Sequence, residues 1–223
     1  MQSSFLFWNA YCTYFCYNKL AMDENALIQD ALKGEVDAFN RLVLAYQDLA
    51  FNVAYRMLAD EDLAADAVQN AFISAYRNLR SYRGGSFKAW VMRMVTNGCY
   101  DELRRQKRRP TVPLEPVSRD DGEEMESAEW LASEDPQPED AFDQAELEHA
   151  LQHCLENLAP EFRAVVVLVD VQGMDYDEVS QSVHTPLGTV KSRLARARLK
   201  LRDCLQKFQE LLPPQFRLNG GAR

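Results

Sequence analysis

The sequence predicts an all-α protein of two small helical domains joined by an acidic, flexible linker. Apolar residues recur at three-and-four spacing on both sides of a stretch that has no such period. That stretch, residues 110–140, holds Pro110, Pro113, Pro116, Pro136 and Pro138 together with most of the chain's negative charge. Near its far end the chain runs through a short helical pattern, a tight turn and a strongly basic helical pattern, which is the outline of a helix-turn-helix.

The chain has 223 residues, 47% of them hydrophobic and 10% aromatic. These are the proportions of a folded globular protein; they exclude wholesale disorder, collagen-like repeats and a many-span membrane protein. Twenty-five Lys and Arg against 34 Asp and Glu give a net charge of -9. Taken alone, that balance argues against nucleic-acid binding through the overall field. The charges are segregated, however. Residues 111–140 contain eleven acidic residues and only Arg119 as a base, a local balance of -10 that leaves +1 for the rest. Residues 77–109 hold ten basic and two acidic residues, and residues 186–202 hold six basic and none acidic. The net figure averages over segments of opposite sign.

Five cysteines, Cys12, Cys16, Cys99, Cys154 and Cys204, are odd in number and scattered, and no convincing signal peptide precedes them. A reducing cytoplasm is the simplest setting. Residues 1–22 are rich in Phe, Tyr and Trp but are interrupted by Asn9, Thr13 and Asn18, too broken for a membrane span. They read as a dispensable extension or a misassigned start, since Met22 followed by DENALIQDAL is the more natural beginning of a helix. Cys12 and Cys16 have no His or third thiol nearby to complete a metal site.

In the first domain, residues 23–109, one apolar face comprises Phe39, Leu42, Val43, Tyr46, Ala50, Val53, Ala54 and Met57. Asp60 to Asp62 offer caps for a second helix, whose face is Leu63, Ala67, Val68, Ala71, Phe72, Ala75, Tyr76 and Leu79. SYRGGS at 81–86 follows as a turn, with Gly84 and Gly85 free to be left-handed and Ser86 placed as an N-cap. A third helix opens at Phe87 with Trp90, Val91, Met94, Val95 and Leu103 facing inward. Its opposite stripe is Arg93, Asn97, Tyr100, Arg104 and Arg108, thickened by Arg105, Lys107 and Arg109. Guanidinium groups interleaved with an amide and an aromatic ring suit phosphates and exposed bases. A solvated basic helix end accounts for the spacing equally well.

In the second domain, residues 141–207, Phe142, Leu147, Leu151, Leu155 and Leu158 have helical spacing, and Pro160 fits the first turn of a new helix. VVVLV at 165–169 has strand composition, but Pro160 and Gly173 bracket it at helical length, so it reads as helix. Asp175 with Glu178 forms a capping-box pattern for a helix over 176–183. Thr185 then caps a final helix with Pro186 at its first position. Along that helix Leu187, Val190, Leu194, Ala197 and Leu201 form the buried seam, while Lys191, Ser192, Arg196 and Lys200 face away and Arg193, Arg198 and Arg202 flank. Such a helix can enter a major groove, reading guanine with Arg or Lys and gripping phosphate alongside. Residues 208–223 form a C-terminal tail.

DAVQNAFISAYRNL (66–79), FKAWVMRMVTN (87–97) and TPLGTVKSRLARAR (185–198), in that order and separated by an irregular linker, resemble the extracytoplasmic-function sigma factors of bacterial RNA polymerase, the branch typified by the sigma-E type. The resemblance covers about residues 23–109, as sigma domain 2, and 141–207, as sigma domain 4. It implies a transcription initiation factor without enzymatic activity or cofactor. Its implied partners are core polymerase, promoter DNA and, in regulated members, an anti-sigma protein. Core polymerase would be met through its beta-prime clamp helices and its beta flap. On this resemblance Asp66, Val68, Gln69, Phe72 and Ile73 face the clamp helices. Asp66 and Gln69 are the better contacts because the apolar three are partly core, and Asn70 stands where an acidic residue is usual. Asn78, Tyr82, Arg83, Arg93 and Asn97, extended along the stripe by Tyr100, Arg104 and Arg108, are implied to bind the minus-ten element, where an extruded base must be held. Thr189, Lys191, Ser192, Arg193 and Arg196 match the residues facing the minus-thirty-five element. His184 occupies a turn position where the family usually has Gly, so a non-glycine residue there is either strained or holds a left-handed conformation that His tolerates better than most.

Nothing in the sequence competes as chemistry. There is no Walker loop and no nucleophile motif, and His149 and His153 at i and i+4 lack the acidic neighbour and third ligand of a zinc site. The acidic linker reads either as a solvated tether or as a mimic of nucleic acid lying in a basic channel of the polymerase. A helix-turn-helix repressor or activator with a partner-sensing first domain is the alternative function.

Overall fold

The computed structural model describes residues 23–108 and 138–212, with side chains between 138 and 145 left aside. The N-terminal extension, residues 109–137 of the linker and the end of the tail lie outside the described residues. Eight α-helices run in order: α1 (Glu24–Lys33), α2 (Val36–Leu58), α3 (Glu61–Arg77), α4 (Phe87–Arg108), α5 (Pro138–Glu156), α6 (Pro160–Val166), α7 (Tyr176–Ser182) and α8 (Leu187–Leu205). Helices α1 to α4 pack as one bundle and α5 to α8 as another, and no strand occurs among the described residues.

Short-range chemistry sets most boundaries. The Asp23 carboxylate accepts from the Ala26 amide at 3.0 Å to start α1, which stops at Gly34 with φ 103°. Asp60 accepts from the Leu63 amide at 2.9 Å and opens α3 as its spacing predicts. Gly84 and Gly85 are both left-handed, at φ 89° and 94°, and the Ser86 hydroxyl accepts from the Ala89 amide at 3.1 Å. The VVVLV run is helical: α6 widens into a single π-helical stretch over Val167–Val171, and Gly173 at φ 63° ends it.

The first core is built where the three predicted apolar faces meet. Leu42, Val53, Met57, Ala75, Val91, Met92 and Val95 are fully buried between α2, α3 and α4. Leu155, Val165, Leu168, Val179, Val190 and Ala197 of the second bundle are buried in the same core, which runs on across both bundles.

Three local expectations are corrected. Thr185 does not cap α8. Pro186 is the N-cap residue, and the Thr185 hydroxyl donates to the Val183 carbonyl at 3.0 Å while lying 3.4 Å from Arg193 Nη1. The Asp175 carboxylate does accept from the Glu178 amide at 2.7 Å, but Glu178 does not complete the capping box; its side chain leaves its own helix for α4. The third correction concerns the thiols: Cys154 on α5 and Cys204 on α8 form a disulfide with Cα atoms 5.7 Å apart, and Cys99 alone is free and buried among the described residues. Fifty positions of sequence separate the two half-cystines, and connectivity of that kind is not written in spacing.

His184 in the helix-turn-helix turn is left-handed at φ 49°, as its place in the motif implies. A side chain there costs ~1–2 kcal/mol, and the looser unfolded chain of a glycine variant gives back part of that gain. His184→Gly therefore raises the unfolding free energy by about 0.5–1 kcal/mol in thermal or urea melts; a lower midpoint would contradict the strain. Reducing the disulfide, or Cys204→Ser, removes a cross-link whose loop entropy is worth ~4 kcal/mol, so the melting temperature falls in dithiothreitol. Identical oxidised and reduced melts would show that the bond contributes nothing.

Candidate polymerase and nucleic-acid surfaces

The structure presents three surfaces where sequence reasoning places function. The first is an apolar groove between α2 and α3, lined among others by Phe39, Val43, Phe51, Val68, Phe72 and Ile73. Val68 and Phe72 are buried at its floor, whereas Ile73 is 42% exposed and Asp66 and Gln69 stand in solvent. Phe51 and Tyr76 add exposed aromatic surface at its rim. Leu44, on the same helix α2, is 64% exposed. Phe51, Tyr76 and the groove's α2 wall were missed by the sequence reading, which treated the α2 residues as one core face; a spacing count cannot tell a core face from a groove wall.

The second surface is the outer stripe of α4 with the loop before it. Arg93, Asn97, Arg104 and Arg108 are exposed along it, and Asn78 and Arg83 are exposed at its N-terminal side. The stripe is not uniformly available. Arg104 pairs with Asp101 at 3.1 Å, while among the described residues Arg93 has no ion-pair partner. Tyr82 is part of an aromatic cluster with Phe87 and Trp90, centroids 5.6 and 5.4 Å away, and its hydroxyl donates to the Gly85 carbonyl at 2.7 Å. This half-buried side chain braces the two-glycine loop in which Arg83 stands exposed. Tyr100 is half-buried; burial, then the nearby Glu161 carboxylate, pushes its hydroxyl up to about 12.

The third surface is α8. Val190, Leu194 and Ala197 seat the helix against α6 and α7, leaving Lys191, Ser192 and Arg196 exposed. Thr189 is half-buried, and the Ser192 hydroxyl donates to its carbonyl at 3.0 Å. Lys191 sits 5.8 Å from the Tyr176 ring centroid. Arg198 and Arg202, on the flanks, pair with Asp170 and Asp203 at 2.5 and 2.8 Å, both pairs largely open to solvent. Arg193 is half-buried beside Thr185 and Tyr100.

The two bundles touch, and beside shared apolar packing the contact carries several polar bonds. The Glu178 carboxylate on α7 lies 2.5 Å from Lys88 Nζ and accepts from the Ser86 hydroxyl at 2.9 Å. Arg56 on α2 reaches Glu148 at 2.5 Å and Gln152 at 3.3 Å on α5. The buried Arg163 guanidinium donates to the Met57 carbonyl of the first bundle and to the Glu156 and Leu158 carbonyls of its own. Desolvation by burial lowers its pKa. His153 packs edge-on against Phe208 and contacts Asn157. No group of three or more metal-ligating side chains comes together among the described residues.

Comparison with known proteins matches residues 42–109 to Sigma-70 region 2 and residues 148–201 to Sigma-70, region 4. An ECF RNA polymerase sigma-E factor of Haemophilus influenzae is 32% identical over 186 residues, covering 83% of this chain and 96% of that protein. Its Escherichia coli K12 counterpart is 35% identical, with 83% and 95% covered. The ECF RNA polymerase sigma factor SigE of Mycolicibacterium smegmatis is 35% identical over 170 residues, which is 76% of this chain and 62% of that longer protein. Among solved structures, CnrH in complex with the cytosolic domain of CnrY shares the fold at a TM-score of 0.61 and 24% identity, over 83% of this chain and 99% of that one. Two basic helical surfaces, one in each matched region and in the order region 2 then region 4, place the chain in the ECF sigma factors of RNA polymerase.

Proposed function

We propose that the chain binds core RNA polymerase through its first bundle, melts and holds the minus-ten element with α4 and its preceding loop, and anchors the minus-thirty-five element with α8. The observation that carries this reading is the pairing of a region 2 match and a region 4 match in one chain, each with an exposed, basic helix surface. The polymerase supplies the catalysis; the chain supplies promoter choice. Its residue-level assignment divides the cations by availability. Arg83, Arg93, Arg108, Lys191 and Arg196, exposed and without an ion-pair partner among the described residues, are among the groups free to meet phosphate or a base edge. Arg104, Arg198 and Arg202, already paired, contribute mainly to the helix surface. Among the described residues no helix is long and apolar enough to cross a membrane, and the proposed partners place the chain in the cytoplasm.

The α2–α3 groove is the surface for the clamp helices, with Gln69 and Ile73 as side chains that line it and stand exposed, and with Asp66 exposed on the same helix outside the groove. A repressor with a sensing domain does not account for a region 2 match in the same chain as a region 4 match.

Reconstitution with core polymerase on a randomised promoter library decides the function: specific initiation that depends on this chain supports the reading, and its absence sinks it. On a selected promoter, Arg196→Ala costs ~1–3 kcal/mol of binding, a drop of roughly 5- to 150-fold in minus-thirty-five occupancy, and relaxes preference at one base pair. Arg202→Ala, which removes a cation already paired, changes occupancy less than twofold by the same footprinting. Equal effects for the two would refute the division by availability. Ile73→Asp places a charge on the groove rim and weakens holoenzyme assembly in a native-gel titration while leaving the melting temperature within a few degrees, because Ile73 is already exposed. Unaltered assembly would remove the groove from the interface.

A further inference from the structure

We infer that in the free chain the α2–α3 groove is covered by the chain's own residues 1–22, with Trp8 as the anchoring side chain. The functional consequence rests on the proposed function: an occupant of this groove competes with the clamp helices for it.

The groove gathers apolar surface that a free protein rarely leaves open. Of the seven large hydrophobic side chains exposed among the described residues, four line it: Val36, Phe51, Ile73 and Tyr76. Its volume of about 840 Å³ is that of a pocket able to enclose a sizeable ligand. Charge along its walls is limited to the Asp48 carboxylate and the Arg77 guanidinium. A contiguous apolar patch with a polar rim marks a surface that something covers.

Three segments of the chain lie outside the described residues, and composition separates them as occupants. Residues 109–137 hold nine acidic residues and one aromatic ring, Trp130. Carboxylates drawn into this groove would lose their water without gaining partners. Residues 213–223 hold one aromatic ring, Phe216, beside two arginines. Residues 1–22 hold seven aromatic rings and a single charged side chain, Lys19. Aromatic side chains bring large apolar area with few rotors to fix, and Trp is foremost among interface anchors. Trp8 is the one Trp of this segment, and the groove wall offers oxygen acceptors for its indole N–H at Asn40, Gln47 and Asp48.

The tether permits the contact. The segment joins the described structure at Asp23, and the Tyr46 hydroxyl donates to the adjoining Glu24 carboxylate, which pins the start of α1 to the middle of α2. Val43 and Gln47 of the groove lie within one turn of Tyr46. Trp8 stands fifteen positions before Asp23, a reach of up to ~50 Å, against the ~10–12 Å diameter of the helix that the chain must round. A tether this short gives a local concentration in the millimolar range, so a contact of only ~100 μM fills the groove in about nine chains of ten. Apparent affinity for a competitor then falls about tenfold.

Tryptophan emission tests the docking in the full-length chain without polymerase. The difference between the unaltered chain and Trp8→Phe isolates Trp8 from Trp90 and Trp130; its emission lies to the blue of free indole, resists acrylamide quenching and is unchanged by dilution. Ile73→Asp moves that emission to the red. Val36→Asp, at the first position of α2 where a carboxylate suits the helix end, is the milder groove variant should Ile73→Asp disturb folding, with the same red shift expected. Trp8→Asp tightens affinity for core polymerase about tenfold. A Trp8 emission like that of free indole, or a blue emission that both groove variants leave in place, overturns the docking. Blue emission lost on dilution assigns the groove to a second copy of the chain and overturns it equally. Docking with no gain of affinity in Trp8→Asp overturns the competition. If Ile73→Asp added to Trp8→Asp leaves holoenzyme assembly unaltered, the groove is not the polymerase surface, and that part of the proposed function fails while the docking stands.

Discussion

Helix α4 must be buried on one side and wet on the other, and the rest of the molecule is arranged around that requirement. Val91, Met92, Val95 and Cys99 are fully enclosed, while Arg93, Asn97 and Arg104 on the same turns are exposed. Helices α2 and α3 cover the apolar side, and α7 takes the sector between the two. Because the buried side chains fix rotation of the helix to within a fraction of a turn, the basic stripe has a defined direction. Burial of the Cys99 thiol, whose pKa is pushed up to about 12, follows from the same enclosure; it is a small core residue and not a nucleophile.

Much of this was legible because it depends on local spacing. Apolar periodicity gave α2, α3, α4 and α8 their inner faces, and Asp60, Ser86 and Asp175 cap where an acceptor three residues before an amide should. The illegible parts are those whose partner is distant in sequence. Glu178 is placed to close a capping box, and from sequence that is its cheapest bond; in the fold two donors on α4, Ser86 and Lys88, outbid a single backbone amide. Cys154 and Cys204 read as scattered because 50 positions separate them, although packing of α5 against α8 brings them together. The disulfide also stands against the expectation that thiols in a reducing compartment stay unpaired. In the candidate surfaces, residue type was legible and availability was not: an Arg on a basic stripe looks the same whether or not an Asp three positions away or across a turn has already taken it.

The net charge of -9 acquires a structural meaning once the described surfaces are separated from the acidic segment. Several of the guanidinium groups on α4 and α8 pair with acidic neighbours: Asp101, Glu102 and Asp203 on their own helices, and Asp170 in the π-helical stretch after α6. The positive charge of these two surfaces is thereby partly offset within the fold, which limits their long-range field.

The placement of the two surfaces is what the contact between the bundles governs. The hydrophobic core is continuous across the two bundles, so separating them would expose apolar area at a cost scaling with that area. The α4–α7 contact combines two buried hydroxyl residues, fully buried small side chains such as Ala89, and one bridging carboxylate. Hydroxyl groups of this kind have alternatives on their own helices: Ser182 Oγ lies 2.8 Å from the Glu178 carbonyl, and Thr96 Oγ1 lies 2.9 Å from the Met92 carbonyl. Both hydroxyls are therefore satisfied twice over, on their own helix and across the contact. Arg163 carries the cost of the interface instead: its guanidinium is buried between the bundles, donates to the Met57 carbonyl, and leaves its Nε without a hydrogen-bond partner among the described residues.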